Sequence, residues 1–143
     1  MMYLLYVSSA VHGITQDDIL DILRASRRNN NPLGITGLLL YKGGNFIQLL
    51  EGPEDAVLKL HQKIATDPRH HAMRTLLSGK TEERLFGEWA MGFSNVDTIR
   101  EKLSQEDLDG LSSFLQQPFD ADEFINTPHR ALRFLLNFKD LMR

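Results

Sequence analysis

The sequence contains no cysteine in its 143 residues. This absence excludes disulfides, thiolate metal sites, iron–sulfur clusters and cysteine nucleophiles, so any redox chemistry must use a bound cofactor or the side chains of tyrosine and tryptophan. Long apolar runs are also missing, and nothing approaches the roughly 18 residues that a membrane span needs. An excess of basic charge is missing too. The net charge is −3, which argues against a surface that binds nucleic acid.

The start of the chain, "MMYLLYVSSA", has no basic region ahead of its apolar residues, which argues against a secretory signal. We therefore expect a cytoplasmic protein that binds neither membranes nor nucleic acid. The length suits one sizeable core, and the composition, 42% hydrophobic and 24% charged, is that of an ordinary globular protein.

Short apolar strands alternate with amphipathic helices along the chain. Thr15 can cap a first helix, and Pro53 suits the first helical position of a second one. A glycine-containing turn joins two strands between these helices. The predicted elements, in order, are a strand at 2–8, a helix at 14–30, two strands around the turn at 42–44, a helix at 53–67, and strands around 72–81 and 88–94.

This order predicts an α+β fold of the ferredoxin-like type, βαββαββ, with a mixed sheet. In that arrangement strand three inserts between strands one and two, and the two helices cover one face of the sheet. Strands one and three are therefore expected to be central neighbours.

The chain beyond residue 97 is predicted to be helical. Ser104 can cap "SQEDLDGLSSFLQ", and Thr127 can cap "TPHRALRFLLNFKDLMR". We expect a division into residues 1–97 and a helical extension at 98–143. The last helix carries an apolar stripe that covers the other face of the sheet or, alternatively, forms an interface with a partner: Ala131, Phe134, Leu135, Phe138, Leu141 and Met142.

Two polar side chains fall on a predicted core face. Strand alternation places Tyr6 and Gln48 side by side beneath the helices if strands one and three pair. A buried glutamine without partners costs about 1–3 kcal/mol, and its amide has capacity beyond one bond to Tyr6. Either a water satisfies the remaining hydrogen bonds of the amide, or a planar heterocycle such as a flavin does. Such a ring could also be held by the amides at the end of helix one: Asn29, Asn30 and Asn31.

Five blocks of sequence occur together between residue 2 and about residue 97. They are "LLYVSSA" at 4–10, "SRRNNNPLGITGLLLY" at 26–41, "NFIQLLEG" at 45–52, "ATDPRHHAM" at 65–73 and "RLFGEWAMGF" at 84–93. In this order and spacing they resemble the BLUF family, the flavin-binding domains that sense blue light. The combination is far more specific than any single block.

The resemblance implies roles for residues on the predicted core face. Tyr6 matches the photoactive tyrosine of the family, Gln48 its switching glutamine, and Asn30 the asparagine that anchors the isoalloxazine ring. Asn29 and Ser26 match polar positions near that ring.

Residues outside this face are also implied. Trp89 and Met91 match a pair on the fifth strand, and because both have the same parity, either can approach Gln48. The positions that match the family's contacts to the ribityl and phosphate tail are Asp67, Arg69 and His70.

The resemblance further implies a photocycle. Blue light would draw an electron and then a proton from Tyr6, and Gln48 would relay the proton. The glutamine would end rotated or tautomerised, with a new hydrogen bond to the flavin C4 carbonyl that shifts absorption to the red. FAD is the expected flavin, with FMN and riboflavin as alternatives.

No catalytic reaction is implied, so we expect a sensor and not an enzyme. The signal would pass through the fifth strand and the C-terminal helices to a separate effector protein, as in short stand-alone members of the family. Such members assemble into oligomers, and a homo-oligomer is therefore expected.

Two other functions remain alternatives: a ferredoxin-like regulator that binds a small molecule, and an acylphosphatase-like enzyme. The loop "SSAVHGIT" after strand one has no arginine, which an acylphosphatase uses to hold phosphate. His70 and His71 are adjacent and would point apart on an extended chain, so no metal site is predicted.

Overall fold

A computed structural model describes residues 1–42, 44–87 and 92–95, and residues 129, 132–133 and 135–136 near the C-terminus. The elements are β1 (Met2–Ala10), α1 (Gln16–Asn30), β2 (Thr36–Lys42), β3 (Asn45–Gly52), α2 (Glu54–Ala65), β4 (His70–Lys80) and β5 (Gly92–Asn95).

The five strands form one mixed sheet in the order β4-β1-β3-β2-β5. β3 lies between β1 and β2 and is antiparallel to both, whereas β2 and β5 are parallel. The predicted ferredoxin-like α+β arrangement, with strands one and three as central neighbours, is therefore confirmed.

The two helices begin where local chemistry favours a start. The backbone N–H of Asp18 donates to Thr15 Oγ1 at 3.1 Å, and the N–H of Thr15 donates to the Asp18 carboxylate at 3.0 Å, which is a reciprocal cap. The prediction for Pro53 was wrong by one residue. Its backbone is extended and its carbonyl already accepts from the N–H of Val57, so Pro53 precedes the helix and Glu54 is its first residue.

One face of the sheet packs against both helices. Leu4, Tyr6 and Leu50 of the central strands share a buried cluster with Ile19 of α1 and Val57 of α2. Side chains that alternate to the opposite face are buried as well: Leu5, Val7, Leu38, Leu40, Ile47 and Leu49. β1, β2 and β3 are thus buried on both faces, and the predicted site lies on the helix side.

Three boundaries differ from the sequence prediction. β1 continues to Ala10, whose register partner is His70, so β4 starts two residues earlier than residue 72. β5 spans Gly92–Asn95, and residues 88–91 of the predicted fifth strand lie outside the described residues.

Little of the predicted C-terminal extension belongs to the described part of the chain. Its described residues are helical, and Leu135 of the apolar stripe is fully buried: His129, Leu132, Arg133, Leu135 and Leu136. The helix predicted after Ser104 and the rest of the stripe lie outside the described residues, so the division at residue 97 stays a prediction. None of the helices described is both long and apolar enough to cross a membrane.

Candidate functional site

A cleft that is partly open to solvent lies between the two helices and the sheet. All the predicted site residues that precede residue 88 line it: Tyr6, Ser26, Asn29, Asn30, Gln48, Asp67, Arg69 and His70.

Tyr6 and Gln48 meet at the bottom of the cleft. They are direct register partners across β1 and β3, and each is 3% exposed. The Tyr6 hydroxyl donates a hydrogen bond to Gln48 Oε1. Burial raises the pKa of the Tyr6 phenol well above its ordinary value, and the negative charge of Asp67 raises it further. The phenol therefore keeps its proton and holds it against an amide oxygen.

Asn30, the last residue of α1, presents an amide with unused bonding capacity. The side chain is 1% exposed, and within the described part of the chain neither its Nδ2 nor its Oδ1 has a hydrogen-bond partner. Ser8 Oγ, on the same face of β1 as Tyr6, is buried and lacks a described partner as well. Because buried polar groups are almost always satisfied, this amide indicates a ligand that offers both a donor and an acceptor.

His70 presents a further unsatisfied atom. Its Nε2 lies 2.6 Å from the carbonyl oxygen of Ile64, which can only accept, so Nε2 carries a proton. The other ring nitrogen, Nδ1, is buried and has no partner among the described residues. In the neutral ring Nδ1 is an acceptor, and a ligand hydroxyl would satisfy it.

An ion pair lies at the rim of the cleft. Arg69 Nη2 is 2.6 Å from the Asp67 carboxylate, which also accepts from Nε and the backbone N–H of Arg69. These hydrogen bonds lower the pKa of Asp67 and raise that of Arg69. Lys63 lines the cleft too. Arg69 and Lys63 are the basic groups of the lining that could face an anionic tail, and Asp18 and Asp21 also act on Arg69.

The three asparagines at the end of α1 differ in exposure. Asn30 is buried, Asn29 is exposed but lines the cleft, and Asn31 is exposed and does not line it. The predicted row of three amides is therefore reduced to two. Ser26 lines the cleft while its hydroxyl donates to the Ile22 carbonyl oxygen at 2.8 Å. Its lone pairs remain able to accept.

Trp89 and Met91 lie outside the described residues, so their approach to Gln48 stays a prediction. The strand that follows them is described. Gly92 pairs with Leu38 of β2, and the next residue of β2, Leu39, pairs with Gln48. β5 thus lies one strand away from the strand that carries the glutamine.

Several lining residues were not among the predicted site residues. Ser8 could have been found, because alternation along β1 puts it on the same face as Tyr6. Lys63 could have been found from its place in the last turn of α2. The apolar walls depend on helix packing and carry no separate sequence signal: Ile22, Ala25, Leu39, Phe46, Leu60 and Ile64.

The lining fits a flavin. Apolar side chains from both helices and the sheet can flank a flat ring, and the unsatisfied donor and acceptor of Asn30 match the alternating donors and acceptors along the edge of a flavin ring. The unsatisfied Nδ1 of His70 suits a hydroxylated tail, and the basic side chains of Lys63 and Arg69 suit its phosphate.

Comparison with known proteins gives the same result. The model of the BLUF family, described as sensors of blue light using FAD, matches residues 1–92. The beta subunit of photoactivated adenylate cyclase from Euglena longa is 42% identical over 89 residues, which are 62% of this chain and 10% of that protein. The chain thus spans about a tenth of the length of that relative.

Two further similarities cover more of the chain. The blue light- and temperature-regulated antirepressor BluF of Escherichia coli K12 is 32% identical over 119 residues, 82% of this chain and 28% of that protein. The dark-state structure of the BLUF protein BlrB is 36% identical, with a TM-score of 0.66, covering 88% of this chain and 92% of that one. The chain belongs to the BLUF family of flavin-binding blue-light sensors.

Proposed function

We propose that this chain senses blue light with a flavin bound in the cleft, and that Tyr6 and Gln48 are the switch. The observation that carries the proposal is the Tyr6 hydrogen bond to Gln48 Oε1, buried beside an unsatisfied Asn30 amide. An oxidisable phenol, a proton acceptor and a ring-binding amide then line the same cleft.

Binding divides between the ring and its tail. Asn30 would hold the hydrogen-bonding edge of the ring, with Asn29 and Ser26 beside it. His70 Nδ1 would accept from a ribityl hydroxyl, and Arg69, braced by Asp67, would face the tail phosphate. FAD is the expected flavin. FMN and riboflavin would make the same ring contacts.

A bound flavin supplies the absorption of blue light and, once excited, the oxidising power for a one-electron step. Tyr6 gives up an electron, and because burial penalises the charged phenol radical, its proton follows. Gln48 Oε1 is already hydrogen-bonded to that proton, so the amide would accept it and release a proton from its NH2 group toward the ring. Tyr6 later recovers both, so no bond in the protein is consumed and no product is formed.

The change that persists after the electron and proton return is in the Gln48 amide. An amide that takes a proton at its oxygen exchanges a hydrogen-bond acceptor for a donor, and it can settle rotated or as a tautomer. The changed bond would bias β3 and, through β2, the strand β5 with Trp89 and Met91 ahead of it. No catalytic step is proposed for this chain.

The output would be a protein contact. Relatives whose names denote cyclases carry the similar region within much longer proteins. For this chain we propose a homo-oligomer whose C-terminal helices at 98–143 pass the signal to a separate effector protein.

The test is an absorption spectrum before and after blue light. We expect the protein to bind flavin and to show a small red shift that decays in the dark. Tyr6→Phe and Gln48→Leu should bind flavin but lose the shift, whereas Tyr3→Phe, which changes a tyrosine on the other face of β1, should keep it. Failure to bind flavin, or a normal photocycle in Tyr6→Phe, would contradict the proposal.

A further inference from the structure

His61 of α2 contacts Tyr6 from outside the cleft. The two ring centroids are 6.0 Å apart and the ring planes are inclined at 69°, an edge-to-face arrangement. His61 does not line the cleft itself. Its contact with the proposed switch is therefore through the tyrosine alone and not through a ligand.

A threonine holds the imidazole on its other side. Thr75 Oγ1 lies 3.3 Å from His61 Nε2, and Thr75 is the register partner of Tyr6 on β4. A hydroxyl can donate to a neutral imidazole and accept from a charged one. His61 can consequently change its protonation state without losing this partner.

The charge of His61 depends on few neighbours. Partial burial lowers its pKa below the ordinary value of about 6.5, so the ring is neutral near pH 7. Tyr6 faces it from β1 and Thr75 from β4. The residues one turn away on α2 carry no charge: Val57, Leu58, Ile64 and Ala65.

Other titrating groups act at a greater distance. Asp67 influences Tyr6, but its lowered pKa keeps it ionised throughout the range in which a histidine titrates. His70 contacts Phe46 and the Ile64 carbonyl, so it is the other imidazole that a pH experiment must separate from His61.

We infer, on the basis of the light-driven oxidation of Tyr6 proposed above, that His61 is a positioning residue for Tyr6: its neutral ring orients the phenol, and its protonation suppresses the photoreaction. A positive imidazole about 6 Å from the phenol opposes removal of an electron from Tyr6. His61 is half-buried beside the exposed Thr75, so solvent screens part of this interaction. Protonation takes one proton from solvent and breaks no bond.

The experiment measures the quantum yield of the red shift in the flavin-loaded, full-length protein from about pH 8 to about pH 5. The wild-type yield should fall about twofold to threefold on the acid side, a modest effect because solvent screens a half-buried imidazole. His61→Gln should keep its yield across the range. His12→Gln, which changes an exposed histidine, should follow the wild type.

A second measurement does not depend on light. In the dark, flavin-loaded protein, the NMR signal of Tyr6 Cζ should shift with a midpoint below pH 6.5, in step with the imidazole signals of His61. The shift should vanish in His61→Gln and in His61→Phe, which keeps an aromatic edge without a titrating charge. If either variant fails to fold, the other still supplies the comparison.

The outcomes separate the two proposals. A red shift at neutral pH without an acid decline, or a decline that persists in both His61 variants, would overturn the inference and leave the proposed function intact. Persistence would assign the decline to another group such as His70. A protein that binds flavin but shows no red shift at any pH would overturn both.

Discussion

Gln48 and Glu51 are buried polar residues three positions apart on β3, and the hydrogen bonding around them differs. Glu51 is 0% exposed, and its carboxylate accepts from Thr36 Oγ1 at 3.0 Å and from the backbone N–H groups of Leu85 and Phe86 at 2.8 and 2.6 Å. The protein itself therefore satisfies this side chain, and Glu51 joins β3 to the loop that follows β4.

The buried polar groups around Gln48 are not all hydrogen-bonded within the described part of the protein. Gln48 is bonded to Tyr6, but beside it the buried atoms of Asn30 and Ser8 have no partners within the described part of the chain. Since both regions are equally buried, burial does not distinguish them. The two regions differ in whether their buried polar groups are hydrogen-bonded. Satisfied groups such as Glu51 stabilise the fold, and unsatisfied groups indicate where a ligand binds.

Replacing Glu51 should have the largest effect on stability. Glu51→Leu removes the acceptor of three donors, one buried and two partly buried, so we expect the free energy of unfolding to fall by about 2–4 kcal/mol. Glu51→Gln keeps one acceptor oxygen and should lose about half as much. Urea unfolding measures both, and Glu82→Gln, an exposed control, should stay within about 0.5 kcal/mol of the wild type.

The folded fraction of Glu51→Gln should bind flavin and switch normally, because Glu51 points away from the cleft. A loss of flavin affinity comparable to the loss of stability would show that the two regions are not separate, and the comparison would fail.

Replacing Asn30 should affect flavin affinity and leave stability nearly unchanged. The amide makes no described bond within the protein, so Asn30→Leu should leave the unfolding free energy of the flavin-free protein unchanged or raise it by about 1 kcal/mol. Its flavin affinity should fall by about 10- to 100-fold, the loss of two hydrogen bonds. Flavin titration and urea unfolding, each with and without ligand, measure the two effects.

Asn31→Ala is the matched control, since this neighbouring amide is exposed and does not line the cleft. It should bind flavin as the wild type does. Equal affinity losses in both variants would indicate that the end of α1 acts as a whole and that the buried amide has no special part.

Sequence was sufficient for the contact at the centre of the site. The fold class predicts that β1 and β3 are neighbours, and strand parity predicts that Tyr6 and Gln48 point to the same face. The observed register, in which the two residues are direct partners, confirms that they meet. The same parity places Ser8 in the cleft.

Contacts that depend on helix rotation or loop path were out of reach. Successive helix residues point about 100° apart, so "NNN" by itself does not tell which amide turns inward, and only the family resemblance singled out Asn30. The edge contact of His61 with Tyr6 depends on how α2 is rotated above the sheet. Likewise, the partners of Glu51 are backbone groups of Leu85 and Phe86, whose arrival over β3 is set by the path of a loop.

Replacing Asp67 should have the smallest effect on stability and flavin affinity. It also tests the comparison of satisfied with unsatisfied polar groups most directly, because Asp67 lines the cleft and is already paired with Arg69. If satisfied groups serve the fold, Asp67→Asn should lower flavin affinity by no more than about threefold. The unfolding free energy should fall by at most about 1 kcal/mol near pH 7, since the pair with Arg69 is partly exposed.

That loss should also depend on pH with a definite sign. Arg69 lowers the pKa of Asp67 in the folded protein, so the unfolded chain binds more protons below the ordinary value of about 3.9. The contribution is thus fully present above about pH 4 and declines as the pH falls through the lowered pKa. Urea unfolding near pH 7 and near pH 3 should show a smaller difference between wild type and Asp67→Asn at the lower pH. An undiminished difference would rule out an ionic origin, and an affinity loss as large as that of Asn30→Leu would show that satisfied groups also bind the flavin.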